Sequence, residues 1–92
     1  MNAAEGECMK ITELVQRMQN GDEEAFEDIF RLEYAKVFAR VKSNMIGFDQ
    51  STVEDVTQDV FIKVYEKIST LENPEAFEAW IMRIARNTAI NE

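Results

Sequence analysis

The polar side chains of residues 74–91 have types and spacing that suit the recognition of nucleic acid. Arg83 and Arg86 carry guanidinium groups, which pair with phosphate. Asn87 and Asn91 carry amides that both donate and accept hydrogen bonds, as a base edge requires. The two asparagines are four residues apart, so on a helix their amides lie along one side. An ordinary amphipathic helix with a solvated polar face fits the same pattern, because surface arginine and asparagine are common.

The apolar residues of this stretch recur at steps of three and four, which predicts a helix with one buried face. They are Phe77, Trp80, Ile81, Ile84, Ala85 and Thr88. Trp80 has two interpretations, a stacking platform for a base or a core side chain, and its place on the stripe favours the core. Asn73 suits the cap of this helix and Pro74 its first position, where no backbone amide is needed.

Three further helices are predicted before this one, at residues 11–19, 22–45 and 53–69. Gly21 ends the first because glycine adopts a left-handed conformation at low cost, and Asp22 caps the second. Their apolar stripes are expected to meet the last helix in one core. Its predicted members are Phe26, Phe30, Val37, Val60, Phe61, Val64, Trp80 and Ile84.

The overall prediction is an all-α fold, a compact bundle of about four helices joined by short loops. Ser51 and Glu54 have the spacing of a capping box for the third helix, in which each side chain satisfies the other's backbone amide. Residues 1–10 are expected to form a flexible tail, and residues 11–92 to form one domain.

The charge of the chain is −8 and is unevenly distributed. Residues 22–33 carry six acids against the single cation Arg31, whereas residues 79–91 carry two arginines and no acid. The six acids are Asp22, Glu23, Glu24, Glu27, Asp28 and Glu33. An anionic face and a nucleic-acid surface are therefore expected on different sides of the domain. The acidic total also predicts that this chain alone binds DNA weakly.

Catalytic and metal-dependent functions find little support. The chain has no histidine, and its one cysteine, Cys8, has no partner to activate it or to form an internal disulfide with it. No glycine-rich phosphate loop or cysteine array is present. We therefore predict a protein that is not an enzyme and uses no cofactor or metal. No apolar run is long enough to span a membrane and no secretory signal is recognisable, so a cytoplasmic location without membrane insertion is expected.

Two segments resemble region 2 of extracytoplasmic-function sigma factors, which belong to the sigma-70 family of bacterial RNA polymerase subunits. Residues 77–90 read Phe-Glu-Ala-Trp-Ile-Met-Arg-Ile-Ala-Arg-Asn-Thr-Ala-Ile. They are similar to the end of that region, with its Phe, Trp and Arg-Ile-Ala-x-Asn. Residues 53–65 read Val-Glu-Asp-Val-Thr-Gln-Asp-Val-Phe-Ile-Lys-Val-Tyr and resemble the preceding helix. With the Asn-Gly-Asp-Glu-Glu-Ala-Phe start at residue 20, the resemblance covers residues 11–92.

The resemblance implies that the third helix docks on a coiled coil in the largest subunit of core RNA polymerase. Asp55, Gln58 and Asp59 match the positions of that contact, with Asp59 standing where many relatives have Glu. The residues alone leave two interpretations open. An acidic, amide-bearing helix flank suits a basic partner helix, with the acids steering encounter, or it is a solvated face.

The resemblance also implies binding of promoter DNA, as the single-stranded minus-ten element. Leu71, Glu72 and Asn73 match the loop that receives a flipped base, although many relatives have an aromatic residue and an arginine here. Asn87 and Asn91 match positions that face this strand, and the arginines of the same helix are expected to position it. Leucine offers a poorer stacking platform than an aromatic ring, and a glutamate repels phosphate.

The family further implies a second helical domain for the minus-thirty-five element, absent from this chain, and an anti-sigma factor as inhibitor. An alternative function remains open from the sequence. The chain would then be a free-standing acidic helical interaction module, or a mimic of nucleic acid that binds a basic partner through residues 22–33.

Overall fold

The regular elements are helices joined by short turns. A computed structural model describes the backbone of residues 3–91 and the side chains of residues 11–91. It contains α1 (Ala3–Gln19), α2 (Glu23–Ser43), α3 (Gln50–Lys67), 3-10 turns at Ile68–Thr70 and Pro74–Ala76, and α4 (Phe77–Ile90). The all-α prediction is confirmed. No helix in the described part of the chain is long and apolar enough to cross a membrane.

The junction of α1 and α2 follows the sequence. Gly21 has a φ of +92°, the left-handed conformation that ends a helix. Asp22 caps α2 by accepting the backbone N–H groups of Glu24 and Ala25 at 3.0 and 3.3 Å. The guanidinium of Arg17 pairs with the same carboxylate at 2.7 Å and thereby lowers the pKa of Asp22.

Several predicted boundaries differ from the structure, including those of α2, predicted at 22–45, and of α3, predicted at 53–69. The first helix begins at Ala3, so the start predicted at residue 11 came too late. Met1 and Asn2 lie outside the described residues, and the flexibility expected of residues 1–10 stays a prediction. The capping box at Ser51 is wrong, because Asp49 caps α3 by accepting the Thr52 N–H at 3.0 Å. The α-helical part of the last helix starts at Phe77, after the 3-10 turn.

α2 is the central element, because it packs against α1, α3 and α4, while α3 also packs against α4. Aromatic rings fill the α2–α3 contact: Phe30 lies 4.7 Å from Phe61 between ring centroids, and Tyr34 stacks on Phe61 at 6.2 Å. Half of the predicted core is fully buried, namely Val37, Val60, Phe61 and Val64. Phe26, Phe30, Trp80 and Ile84 pack against that core with part of their surface exposed.

Glu33 is the main exception to the predicted distribution of charge. We expected it on the acidic face of residues 22–33, yet its side chain is 0% exposed. It follows Ile29 by one turn and precedes Val37 by one turn, and both neighbours are buried. The helical stripe therefore carries Glu33 into the core, and the acidic face of α2 loses one of its predicted members.

Candidate nucleic-acid interface

A line of polar side chains runs along one side of α4. Arg83, Asn87 and Asn91 follow one another at steps of four, and all three are exposed. The backbone N–H of Asn91 donates to the Asn87 carbonyl at 3.2 Å, which closes the last turn of the helix. This line combines one cation able to pair with phosphate and two amides able to pair with a base edge, in a row about two turns long.

Arg86 lies away from this line. It precedes Asn87 by a single residue, so the two side chains leave the helix about 100° apart. Arg86 is exposed and shares its side of α4 with Ile90, one turn further on. The structure therefore brings together three of the four predicted α4 residues, and it separates the second arginine from the two asparagines.

Lys63 of α3 contacts α4, and no local pattern in the sequence predicted this contact. Its Nζ donates to Thr88 Oγ1 at 3.1 Å, and that hydroxyl donates to the Ile84 carbonyl at 2.7 Å. Thr88 leaves the helix about 100° from its neighbour Asn87, so this second cation flanks α4 beside the polar line rather than on it. The position of this lysine at the edge of an apolar stripe indicates that its stem lies against a neighbouring helix. Which helix it contacts depends on how the helices pack.

The loop before α4 presents two of its three predicted residues. Glu72 and Asn73 are exposed, and Asn73 Oδ1 accepts the Glu75 N–H at 3.0 Å as the predicted cap. Leu71 is only 9% exposed and belongs to the core. The part of Leu71 in receiving a flipped base stays a prediction, and its side chain has little surface left to offer a base.

Gln19, at the end of α1, anchors this loop. Its amide Nε2 donates to the Ile68 carbonyl at 3.0 Å and to the Leu71 carbonyl at 2.7 Å. Both bonds span about half of the chain, so no local pattern in the sequence points to them. They hold the backbone of the loop in a single position relative to the bundle.

The exposed side of α3 carries the three residues predicted to contact a partner. Asp55, Gln58 and Asp59 all face solvent on neighbouring turns. Ile62 follows Asp55 by seven residues and Asp59 by three, so it shares their side, and it is 56% exposed. An apolar side chain surrounded by acids and an amide has the composition of a docking site for a basic amphipathic helix.

A metal centre receives no support from the described residues, where no group of acidic, cysteine or histidine side chains is arranged to hold an ion. Two surfaces offer hydrogen-bonding groups, charge and apolar contact. One lies on the exposed side of α3. The other is the polar line of α4, and Lys63 contacts the same helix.

Comparison with known proteins identifies the family of the chain. The family model of sigma-70 region 2 matches residues 33–92. The chain is 37% identical over 81 residues to the RNA polymerase sigma-H factor of Pseudomonas aeruginosa, an alignment that covers 86% of this chain and 40% of that protein. It is also 37% identical over 78 residues to the ECF RNA polymerase sigma-E factors of Escherichia coli K12 and Salmonella typhimurium LT2, covering 85% of this chain and 39% of each.

The all-helical fold and the family match together define the class of protein to which this chain belongs. The chain belongs to the sigma-70 region 2 family, and its relatives include sigma factors of the extracytoplasmic-function type. It spans about two fifths of the length of these relatives.

Proposed function

We propose that this chain is the part of a sigma factor that binds core RNA polymerase and recognises and melts the minus-ten promoter element. Family membership supports the proposal, and the observation that carries it is the line of Arg83, Asn87 and Asn91 on α4. In this proposal the chain catalyses no reaction itself. It directs the polymerase to the promoter through binding.

In this proposal each of the two surfaces binds a different partner. The acids and amide of α3 meet a basic coiled coil of the largest polymerase subunit, with Ile62 at the centre of that contact. Asn87 and Asn91 read bases of the displaced strand, while Arg83 and Lys63 offset phosphate charge. Glu72 and Asn73 belong to the loop that receives the flipped base. The base loses its stacking on neighbouring bases and gains contacts in the pocket instead. An anti-sigma factor that covers either surface would keep such a protein inactive.

The DNA-reading part is tested with the full-length gene product assembled with core polymerase. Asn87→Ala and Asn91→Ala should impair open-complex formation on a promoter while leaving polymerase binding intact. Ile90→Ala is the matched control, because it truncates an exposed side chain of the same helix that carries no hydrogen-bonding group. Arg83→Ala should weaken binding of a single-stranded minus-ten oligonucleotide and lower its salt slope by about one. Normal promoter opening by both asparagine variants would contradict a reading role for α4.

The docking part has its own test. Asp55→Lys combined with Asp59→Lys should reduce the affinity for core polymerase, because the change reverses the charge that attracts a basic helix. Glu24→Lys combined with Glu27→Lys makes the same change of charge on the exposed side of α2 and serves as control. Equal losses of affinity in the two double variants would indicate a general effect of charge. They would contradict the proposal that α3 contacts the polymerase.

A further inference from the structure

The carboxyl group of Glu33 is closed off from solvent inside the α2–α4 contact. Its exposure is 0%, and neither of its oxygens has a hydrogen-bond donor among the described residues. Burying an ionised carboxylate without donors is costly, and such a group commonly remains protonated instead. The geometry therefore favours the neutral acid at Glu33.

Two charged side chains face this carboxyl. Lys36, one turn further along α2, has its Nζ 3.8 Å from Glu33 Oε2 and 3.9 Å from Glu78 Oε1. Glu78 belongs to the first turn of α4 and is partly exposed. Among the described residues, no charged group of α1 or α3 contributes to the electrostatics of Glu33. Two carboxyl groups thus lie around one ammonium group that can balance only one of them.

Three causes together raise the pKa of Glu33 from its ordinary 4.5 to about 8: burial first, then a hydrogen bond with Glu78 and the negative charge of Glu78. The nearby Lys36 opposes them. A hydrogen bond between two carboxyl groups requires a proton on one of them. The buried oxygens of Glu33 find their missing partner in this way, because the protonated acid donates to Glu78.

We propose that Glu33 and Glu78 share one proton, and that this proton holds the first turn of α4 against α2. Glu33 is then a positioning residue for the polar line of α4, which begins five residues after Glu78. Loss of the proton leaves a buried negative charge facing a second one, and the two helix surfaces repel each other. The effect on DNA rests on the proposed function, but the sharing of the proton does not.

The expected dependence on pH follows from the raised pKa. The folded protein keeps this proton at pH values where the unfolded chain has lost it. The stabilisation is therefore complete below about 4.5 and is lost progressively as the pH rises to about 8.

Carboxyl carbon NMR and thermal unfolding of this chain between pH 4 and pH 9 test the proposal. One carboxyl should titrate near pH 8, disappear in Glu33→Gln and move toward its ordinary value in Glu78→Gln, whose amide donates to a charged Glu33. The melting temperature should fall with rising pH in the parent and far less in Glu33→Gln. Glu27→Gln, an exposed change on the same helix, should behave as the parent. A Glu33 carboxyl that titrates in the ordinary range for glutamate would overturn the proposal.

A second readout separates this proposal from the proposed function. Binding of the full-length protein with core polymerase to a single-stranded minus-ten oligonucleotide is compared at pH 7 and pH 9. The parent should lose more affinity between these values than Glu33→Gln does, and equal losses would overturn the positioning role. If the strand is not bound at either pH while the carboxyl still titrates near 8, the proposed function fails and the shared proton stands.

Discussion

The side-chain amide of Gln19 donates to the main-chain carbonyl of Leu71 across 2.7 Å and joins the end of α1 to the loop before α4. A second bond from the same nitrogen reaches the Ile68 carbonyl. These two bonds hold the loop that carries Glu72 and Asn73. Such a loop needs them, because its exposed residues make few contacts with the rest of the domain.

Removing this anchor should loosen the loop. Gln19→Ala removes the donor of the Leu71 carbonyl, which costs about 1–3 kcal/mol where that carbonyl is shielded from water. The Ile68 carbonyl loses the same donor but still accepts the Leu71 N–H at 3.1 Å. Limited proteolysis should then cut within residues 70–73 faster than in the parent. Gln16→Ala, an exposed change one turn earlier in α1, should leave both stability and cleavage unchanged. Cleavage at the parental rate in Gln19→Ala would contradict the anchoring role.

The core prediction is tested by two adjacent residues of α3, one buried and one exposed. Phe61 is 2% exposed and contacts the rings of Phe30 and Tyr34, so Phe61→Ala should lower the free energy of unfolding by about 3–5 kcal/mol. Ile62→Ala should change it by no more than about 0.5 kcal/mol, because Ile62 faces solvent. Chemical denaturation measures both, and similar losses in the two variants would refute the helical register.

The cap of α3 allows a test between two neighbouring residues. Asp49→Ala should lower the melting temperature more than Ser51→Ala, because only Asp49 accepts a backbone N–H of the first turn. Hydrogen bonds from Thr52 lower the pKa of Asp49. The cap therefore stabilises the fold above the ordinary pKa of aspartate, and this stabilisation is lost as the pH falls through the lowered value. The difference between Asp49→Ala and the parent should vanish in strong acid, and persistence there would argue against an ionic cap.

Lys63 is expected to act on the strand through its charge. Lys63→Met keeps the apolar stem and removes the ammonium group, so binding of the minus-ten oligonucleotide to the holoenzyme should weaken and the salt slope should fall by about one. Lys67→Met makes the same change one turn further along α3 at an exposed position and is the control. Equal effects of the two changes would mean that only the total charge matters.

Local signals in the sequence predicted the boundaries that depend on one or two residues. Gly21 ends α1, Asp22 caps α2 and Asn73 caps the turn before α4, as expected from the conformations these residues prefer. The cap of α3 was harder to predict, because Asp49 and Ser51 are both residue types that cap helices well and they lie two residues apart. The choice between them depends on how the preceding turn approaches the helix, which the sequence does not reveal.

The residues that sequence reasoning misplaced or missed depend on packing between helices. Leu71 follows the third helix in what reads as a loop, yet the bundle closes over its side chain. The spacing of Glu33, one turn from Ile29 and one turn from Val37, indicates a buried position. We nevertheless predicted an exposed one, because acids are rarely buried. Gln19 and Lys63 contact partners on other elements, so their roles appear only once the helices are assembled.

The carboxylate of Asp22 is engaged from both sides of the α1–α2 junction. One oxygen caps α2, and the other receives the guanidinium of Arg17 from α1. Fraying the first turn of α2 therefore also removes the ion pair at the end of α1. We expect the two helix ends to open together as a single cooperative unit in amide hydrogen exchange, with similar opening free energies on both sides of Gly21.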